Sequence, residues 1–367
     1  MTPVVQSAIT IVIFIVMLGA LVVIHELGHF VTARLAGVRV HEFGIGFPPR
    51  AKVMRSHGET LYTLNWLPIG GFVRLEGEDG DSDDPRSFVR ARLPTKLVIL
   101  IAGVAMNIAL AFAIFFLIAW LANPTVGLTF AKVQADSPAM AAGLVAGDRI
   151  DSIDGRVFDA FEAVPGHSAI ADALKEQAGR TVTLGITHAG VGTAAVPVVL
   201  RATDQIDVGH GALGIEQLKG SPTGDYFQRT PLEAARIAVV RTGQALTLIW
   251  NGLGQLVDSI VNHPTEAPPV QGPIGIASQV GDVFWQLGPV FTLYLAGILS
   301  ANLALVNILP FPPLDGGRVA VLLLKAVAGE RVSLRAERLT YLVGFVFLMT
   351  FLAWISFYDI TAPGRAQ

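Results

Sequence analysis

Four stretches of the chain are apolar on every face and long enough to cross a bilayer as helices: about Ser7 to Ala36, Leu97 to Ala122, Gln286 to Leu309 and Leu339 to Tyr358. The first resembles a signal peptide only in position. Met1 to Ser7 holds no Lys or Arg and no small-residue cleavage pattern follows, so the segment is expected to stay attached. A further helical pattern, Leu232 to Val261, carries Arg236, Arg241, Gln244, Asn251, Gln255 and Asp258, and is expected to lie along the outer membrane surface as an amphipathic helix, with a fifth span as the alternative. Two-residue alternation appears elsewhere. Thr60 to Leu64 and Phe72 to Leu75 flank the turn-rich Leu67-Pro68-Ile69-Gly70-Gly71, which predicts a hairpin dipping toward the membrane. Short strand-like runs at Thr129 to Val133, Arg149 to Ile153, Thr181 to Thr187 and Ala195 to Leu200 surround one helical pattern, Ala169 to Gln177. The Pro-rich Asn262 to Pro273 reads as a linker into the third span, and no internal repeat is visible.

The pattern predicts a polytopic α-helical membrane protein of four transmembrane helices with a separate α+β domain. Its expected parts are 1–124 with two spans and the hairpin, 125–219 as the α+β domain, 220–285 as surface helix and linker, and 286–367 with the last two spans. Composition agrees. Apolar residues make up 52% of the chain, charged residues only 15%, and the mean hydropathy is +0.56, whereas soluble domains carry about 25% charge. A net charge of −3 gives no sign of a nucleic-acid partner. With no cysteine, disulfides and thiolate metal sites are excluded, and any metal must be held by His, Asp or Glu.

Basic residues set the expected orientation. Arg34, Arg39, Arg50, Lys52, Arg55, Arg74, Arg86, Arg90, Arg92 and Lys96 lie between the first two spans, and Arg318, Lys325, Arg331, Arg335 and Arg338 between the last two. Both connections are therefore expected on the cytoplasmic side of a cell membrane, with the termini and 123–285 outside.

One pentad changes the picture. His25, Glu26 and His29 form H-E-x-x-H inside the first span. On a helix the two imidazoles share a face and can converge on one zinc ion, while Glu26 leans toward the open coordination position as general base. Ionisable groups in a membrane helix cost several kcal/mol, roughly 2.5 or more at mid-helix, unless a metal or a wet cavity compensates them. The first and third spans run in the same direction, so His25 to His29 and Asn307-Ile308-Leu309-Pro310-Phe311-Pro312-Pro313-Leu314-Asp315-Gly316-Gly317 reach the same half of the bilayer. Three prolines break the helix there, which requires protein or a water-filled cavity around the backbone. Gly316 and Gly317 would allow close approach. Asp315 is the candidate third ligand, completing a His, His, carboxylate and water set. As a residue alone, it also suits the start of a short helix at Gly316.

With these motifs the chain resembles the site-2 protease family of intramembrane zinc metalloproteases, and within it the bacterial regulators of sigma-factor signalling that carry an extracytoplasmic PDZ domain. The family's H-E-x-x-H and N-x-x-P-x-P-x-L-D-G are matched by His25 to His29 and Asn307 to Gly316, and its G-x-x-x-N by Gly103 to Asn107. The resemblance implies that His25, His29 and Asp315 hold Zn2+ and that Glu26 activates water. It further implies supporting roles for Asn107, Asn302 and Asn307; for Asn107, interhelical packing and direct catalysis both remain open. It makes the hairpin membrane-reentrant, with Gly70, Gly71, Phe72, Val73 and Arg74 available to hold an unwound substrate as an added strand, or to plug the bundle. Ser137-Pro138-Ala139, Gly143-Leu144 and Gly147-Asp148-Arg149-Ile150 resemble a bacterial PDZ domain, present once.

The implied activity is cleavage of single-span membrane proteins in regulated intramembrane proteolysis, after an upstream site-1 type protease has trimmed them; anti-sigma factors and remnant signal peptides are the implied substrates. A non-catalytic PDZ adaptor is the alternative, against which the intact Glu26 argues. A metal transporter would need ionisable residues in several spans, and the second and fourth have none in their interiors. His41, His57, His167, His188, His210 and His263 lack ligand spacing and are expected to be solvated polar residues.

Overall fold

The computed structural model describes residues 2–78, 82–162, 169–188, 192–207, 209–263, 266–328 and 334–362. The chain folds as two compact units, 1–116 with 235–367, and 117–234. Among the described residues four helices are long and apolar enough to cross a membrane: α1 (Pro3–Leu35), α2 (Leu93–Leu121), α7 (Pro289–Asn307) and α9 (Leu334–Thr361). Their free faces expose large apolar side chains such as Ile11, Val12 and Val16 on α1 and Leu342, Val343 and Phe345 on α9. Such faces suit a hydrocarbon solvent.

The membrane unit also holds β1 (Val40–His57), β2 (Thr60–Leu75), α5 (Pro231–Asn262), α6 (Pro273–Leu287) and α8 (Asp315–Ala328). The hairpin differs from the expected one. Thr60 to Leu64 and Phe72 to Leu75 are parts of a single strand, β2, and the partner is the upstream β1. Glu42, Phe43, Gly44 and Ile45 each face two residues of β2, one from Leu61–Leu64 and one from Gly71–Arg74, so Gly71–Leu75 forms an outer edge. The prolines, glycines and charges of Val40–His57 disguise its strand character. One of those charges is a structural centre: buried Glu42 accepts from Thr63 Oγ1 at 2.7 Å and from Arg50 Nε and Nη2 at 3.2 and 2.7 Å. A small core of Ala33, Val38, Val40, Leu75, Phe88, Ile99 and Leu100 joins the hairpin base to α1 and α2.

The third span starts later than the sequence suggests. Gly288, at φ +91°, separates α6 from α7, and Pro289 opens α7. Helix α6 stands where the sequence predicts linker, because its N-terminal cap comes from far away in sequence. Asp359 of α9 accepts from Gly272 N at 3.1 Å and Gly275 N at 2.9 Å, satisfying amides that open α6. Helix α5 forms where the amphipathic pattern predicts one, with Val239, Val240, Leu248, Trp250 and Val257 exposed.

The second unit is a six-stranded antiparallel sheet of order β7-β6-β4-β5-β3-β8, with β3 (Asn123–Val133), β4 (Arg149–Ile153), β5 (Arg156–Asp159), β6 (Thr181–His188), β7 (Gly192–Val199) and β8 (Ile215–Phe227). Leu128, Phe130, Ile150, Phe158, Val182, Leu184 and Ile186 alternate inward and pack on Ile170 and Leu174 of α4 (Ala169–Glu176). The Ser137 to Asp148 motif has a local reason. Ser137 Oγ accepts from Met140 N at 3.2 Å, capping α3 (Pro138–Ala141), and buried Asp148 accepts from Val145 N at 2.9 Å, closing the loop into β4.

Candidate metal centre

Helical spacing puts His25 and His29 on one buried face of α1, with Glu26 beside them and half-buried. Their Nε2 atoms stand 3.1 Å apart. The third member arrives from the far end of the chain. After α7 ends at Asn307, the proline-rich turn reverses and α8 begins at Asp315. That reversal needs glycine after Asp315: a methyl on Gly316 would stand 2.1 Å from the Ile308 carbonyl oxygen, and one on Gly317 2.5 Å from Pro312 N. Asp315 Oδ2 then lies 2.9 Å from His25 Nε2 and 3.3 Å from His29 Nε2. Among the described residues this is the one set of three or more metal-ligating side chains whose donor atoms converge.

The arrangement fits zinc on two independent counts. Tetrahedral zinc with bonds of about 2.0–2.1 Å holds its ligand atoms about 3.3 Å apart, close to the three separations seen. The place where the ion would sit is also kept clear. A methyl on Gly103 of α2 would lie 2.4 Å from His29 Nε2 and 2.7 Å from His25 Nε2. Close helix approach brings α2 here, since a methyl on Gly28 would meet the Ala102 carbonyl oxygen at 2.4 Å. His29 Nδ1 faces the Ile99 carbonyl oxygen at 2.8 Å, which makes Nδ1 the donor and leaves Nε2 bare for a metal. Glu78 accepts from Arg318, one turn beyond Asp315.

The chain matches the model of peptidase family M50 over residues 13–351. It belongs to that family. A protein of Clostridium acetobutylicum provisionally named as a zinc metalloprotease is 30% identical over 363 residues, covering 98% of this chain and 99% of its own. One of Clostridium perfringens with the same provisional name is 31% identical, covering 94% and 96%. The zinc metalloprotease RasP of Geobacillus kaustophilus is 26% identical, covering 97% and 99%. Family M50 membership and the His25, His29, Asp315 cluster beside membrane-spanning helices together support zinc-protease activity within the membrane.

The other residues singled out in the sequence fall into four groups. Asn107 is fully buried against His25, with Nδ2 3.2 Å from His25 Nδ1. Gly70, Gly71, Phe72, Val73 and Arg74 lie in β2 alongside α1: a methyl on Gly70 would be 3.2 Å from Val22 Cγ1, and one on Gly71 3.7 Å from Glu26 Cγ. Asn302 and Asn307 are half-buried on α7, and among the described residues neither hydrogen-bonds the cluster. Ser300, which no motif marks, donates through Oγ to the Asn107 carbonyl oxygen at 2.8 Å; a hydroxyl in an apolar span two residues before Asn302 is its only trace in the sequence. The remaining histidines pair with carboxylates instead of gathering: His41 with Glu76 at 2.5 Å, His188 with Asp148 and His210 with Asp207 at 2.9 Å, and His263 with Glu266 at 3.7 Å. His167 lies outside the described residues, as does the side chain of His57.

Proposed function

We propose that the chain is an intramembrane zinc metalloendopeptidase of the site-2 type, hydrolysing peptide bonds within the spanning segments of single-span proteins that another protease has already trimmed. Anti-sigma factors and remnant signal peptides are substrates of the right form. The observation that carries the reading is the convergence of His25, His29 and Asp315 beside half-buried Glu26 on a membrane-spanning helix. His25, His29 and Asp315 would be the protein ligands. Zinc bound there supplies a Lewis acid that makes water nucleophilic near neutral pH and polarises a carbonyl. Glu26 takes the proton released by the attacking water and delivers it to the leaving amide nitrogen, so that an amine departs.

Peptide bonds inside a helix are shielded, and the substrate must be extended before its carbonyl reaches Glu26. The outer edge Gly71–Leu75 runs past Glu26 and offers main-chain groups to an added strand, so we assign it to hold the unwound segment in a membrane-reentrant hairpin. Exposed Trp66 and Leu67 suit contact with lipid at that hairpin. The sheet unit is read as a single PDZ domain outside the cell membrane, acting before catalysis to admit trimmed substrates, with the zinc centre toward the cytoplasm. A pure adaptor would have no use for Glu26. Membranes from cells making the Glu26→Gln chain should accumulate transmembrane fragments that the active chain removes; equal fragment patterns from both would sink the reading.

A further inference from the structure

Helix α2 faces the cluster with three residues at four-residue intervals, Ile99, Gly103 and Asn107, which share one side of a helix. The Ile99 carbonyl oxygen lies 2.8 Å from His29 Nδ1, and Gly103 clears the hollow between the imidazoles. Asn107 stands over the other ring. Its Nδ2 is 3.2 Å from His25 Nδ1, while its buried Oδ1 has no hydrogen-bond partner among the described residues. Ser300 of α7 holds the same residue by its carbonyl oxygen at 2.8 Å, so its position is fixed from a second helix.

An imidazole that directs a bare Nε2 toward a metal carries its proton on Nδ1. In that tautomer His25 Nδ1 is a donor, and an amide N–H aimed at it sets donor against donor. The two ends of a primary amide are nearly equal in size, and a half-turn of the amide exchanges them. The exchange leaves Nδ2 as the unpaired end; what it removes is the opposed pair of donors, and it gives Oδ1 a hydrogen to accept.

We infer that Asn107 is a positioning residue whose Oδ1 accepts the Nδ1–H of His25, fixing the ring and its tautomer so that Nε2 is presented to zinc. The inference rests on the cluster being the zinc site. Asn107 touches no reacting atom. It does for His25 what the Ile99 carbonyl does for His29, so α2 orients both imidazoles and leaves the space between them open. The G-x-x-x-N spacing thereby has a physical reason: the glycine and the asparagine must share the face that meets H-E-x-x-H.

The test compares zinc affinity, by competition with a chromophoric chelator in detergent, for the parent, Asn107→Leu and Asn107→Asp chains. Leucine is close in size to asparagine and offers no acceptor, so zinc binding should weaken roughly ten- to a hundredfold, as for other partners of metal-bound histidines. Aspartate accepts and cannot donate, so Asn107→Asp should stay within a few-fold of the parent. A space-filling role predicts the reverse order, with Leu tolerated and Asp costly. Parent-like affinity in Asn107→Leu overturns the inference, and so does a loss in Asn107→Asp as large as that in Asn107→Leu. Should the Leu chain fail to fold, the Asp chain decides alone, because an amide that donated to His25 could not be replaced by a carboxylate. A parent chain without zinc would instead overturn the reading of the centre itself.

Discussion

Adding a single methyl group at Gly103 should empty the metal centre while sparing the helix that carries it. The new carbon would stand 2.4 Å from His29 Nε2 and 2.7 Å from both Cε1 and Nε2 of His25, against an ordinary contact of 3.4 Å or more. Relief requires one or both imidazoles to retreat by about 1 Å, several times the tolerance of roughly 0.2 Å on zinc–ligand distances. With ligand bonds of about 2.0–2.1 Å, the methyl also takes most of the ion's own space. The helix itself gains, since Ala exceeds Gly by about 1 kcal/mol in a helix interior, offsetting part of an overpacking cost of about 1–3 kcal/mol. The Gly103→Ala chain should therefore fold, melt within a few degrees of the zinc-free parent, and lose at least a hundredfold in zinc affinity. Gly243→Ala is the control, because a methyl on Gly243 meets nothing within 4 Å on α5; it should bind zinc as the parent does. Zinc per chain by atomic emission, with melting in and out of chelator, reads both quantities. A Gly103→Ala chain that holds one zinc with parental affinity would refute the placement of the ion between the imidazoles.

Phe72→Pro removes a backbone donor from the outer edge of the hairpin and should slow cleavage of a membrane substrate by tenfold or more while zinc content stays at the parental value; unaltered turnover would remove the strand-addition role. The Glu76 carboxyl is held below its ordinary range, first by the Ser82 hydroxyl and then by His41. Its contribution is therefore present above the ordinary glutamate range and is lost as pH falls through the lowered value. Protection factors at the β1–β2 base, which discount the acid slowing of exchange itself, should fall on acidification in the parent and change less in Glu76→Gln, and identical pH profiles would contradict this. Replacing about Thr125 to Lys219 by a flexible linker should preserve cleavage of short substrates and relax rejection of untrimmed ones; equally strict rejection by a folded, zinc-loaded deletion would dismiss the gating role.

Much of this centre was readable because its chemistry is local or signalled by broken helices. His25, Glu26 and His29 share one helical turn, and Asp315 follows a proline run that no membrane helix could absorb. The spans were readable for the same reason, since apolar residues on every face leave few alternatives. What escaped depends on distant partners. Strand β1 is held by Glu42 reaching Arg50 and Thr63, a pairing its own charges do not disclose. Helix α6 takes its cap from Asp359, 84 and 87 residues along the chain. Gly103 was readable as a packing residue, but its clearance of the metal's place required the positions of both imidazoles. The Glu26-facing edge of β2 likewise depends on the register with β1, which no single strand discloses.

If Glu26 works as a base beside a zinc ion held by His25, His29 and Asp315 within the membrane, its amide variant keeps the metal and loses the chemistry. The most direct test reconstitutes the parent and Glu26→Gln chains in liposomes with a trimmed single-span protein, measuring zinc per chain and mapping product termini by mass spectrometry. Each chain should hold about one zinc, the parent should cut inside the spanning segment, and Glu26→Gln should yield no product. Undiminished cleavage by Glu26→Gln, or cuts confined to the substrate's flanks outside the bilayer, would contradict it.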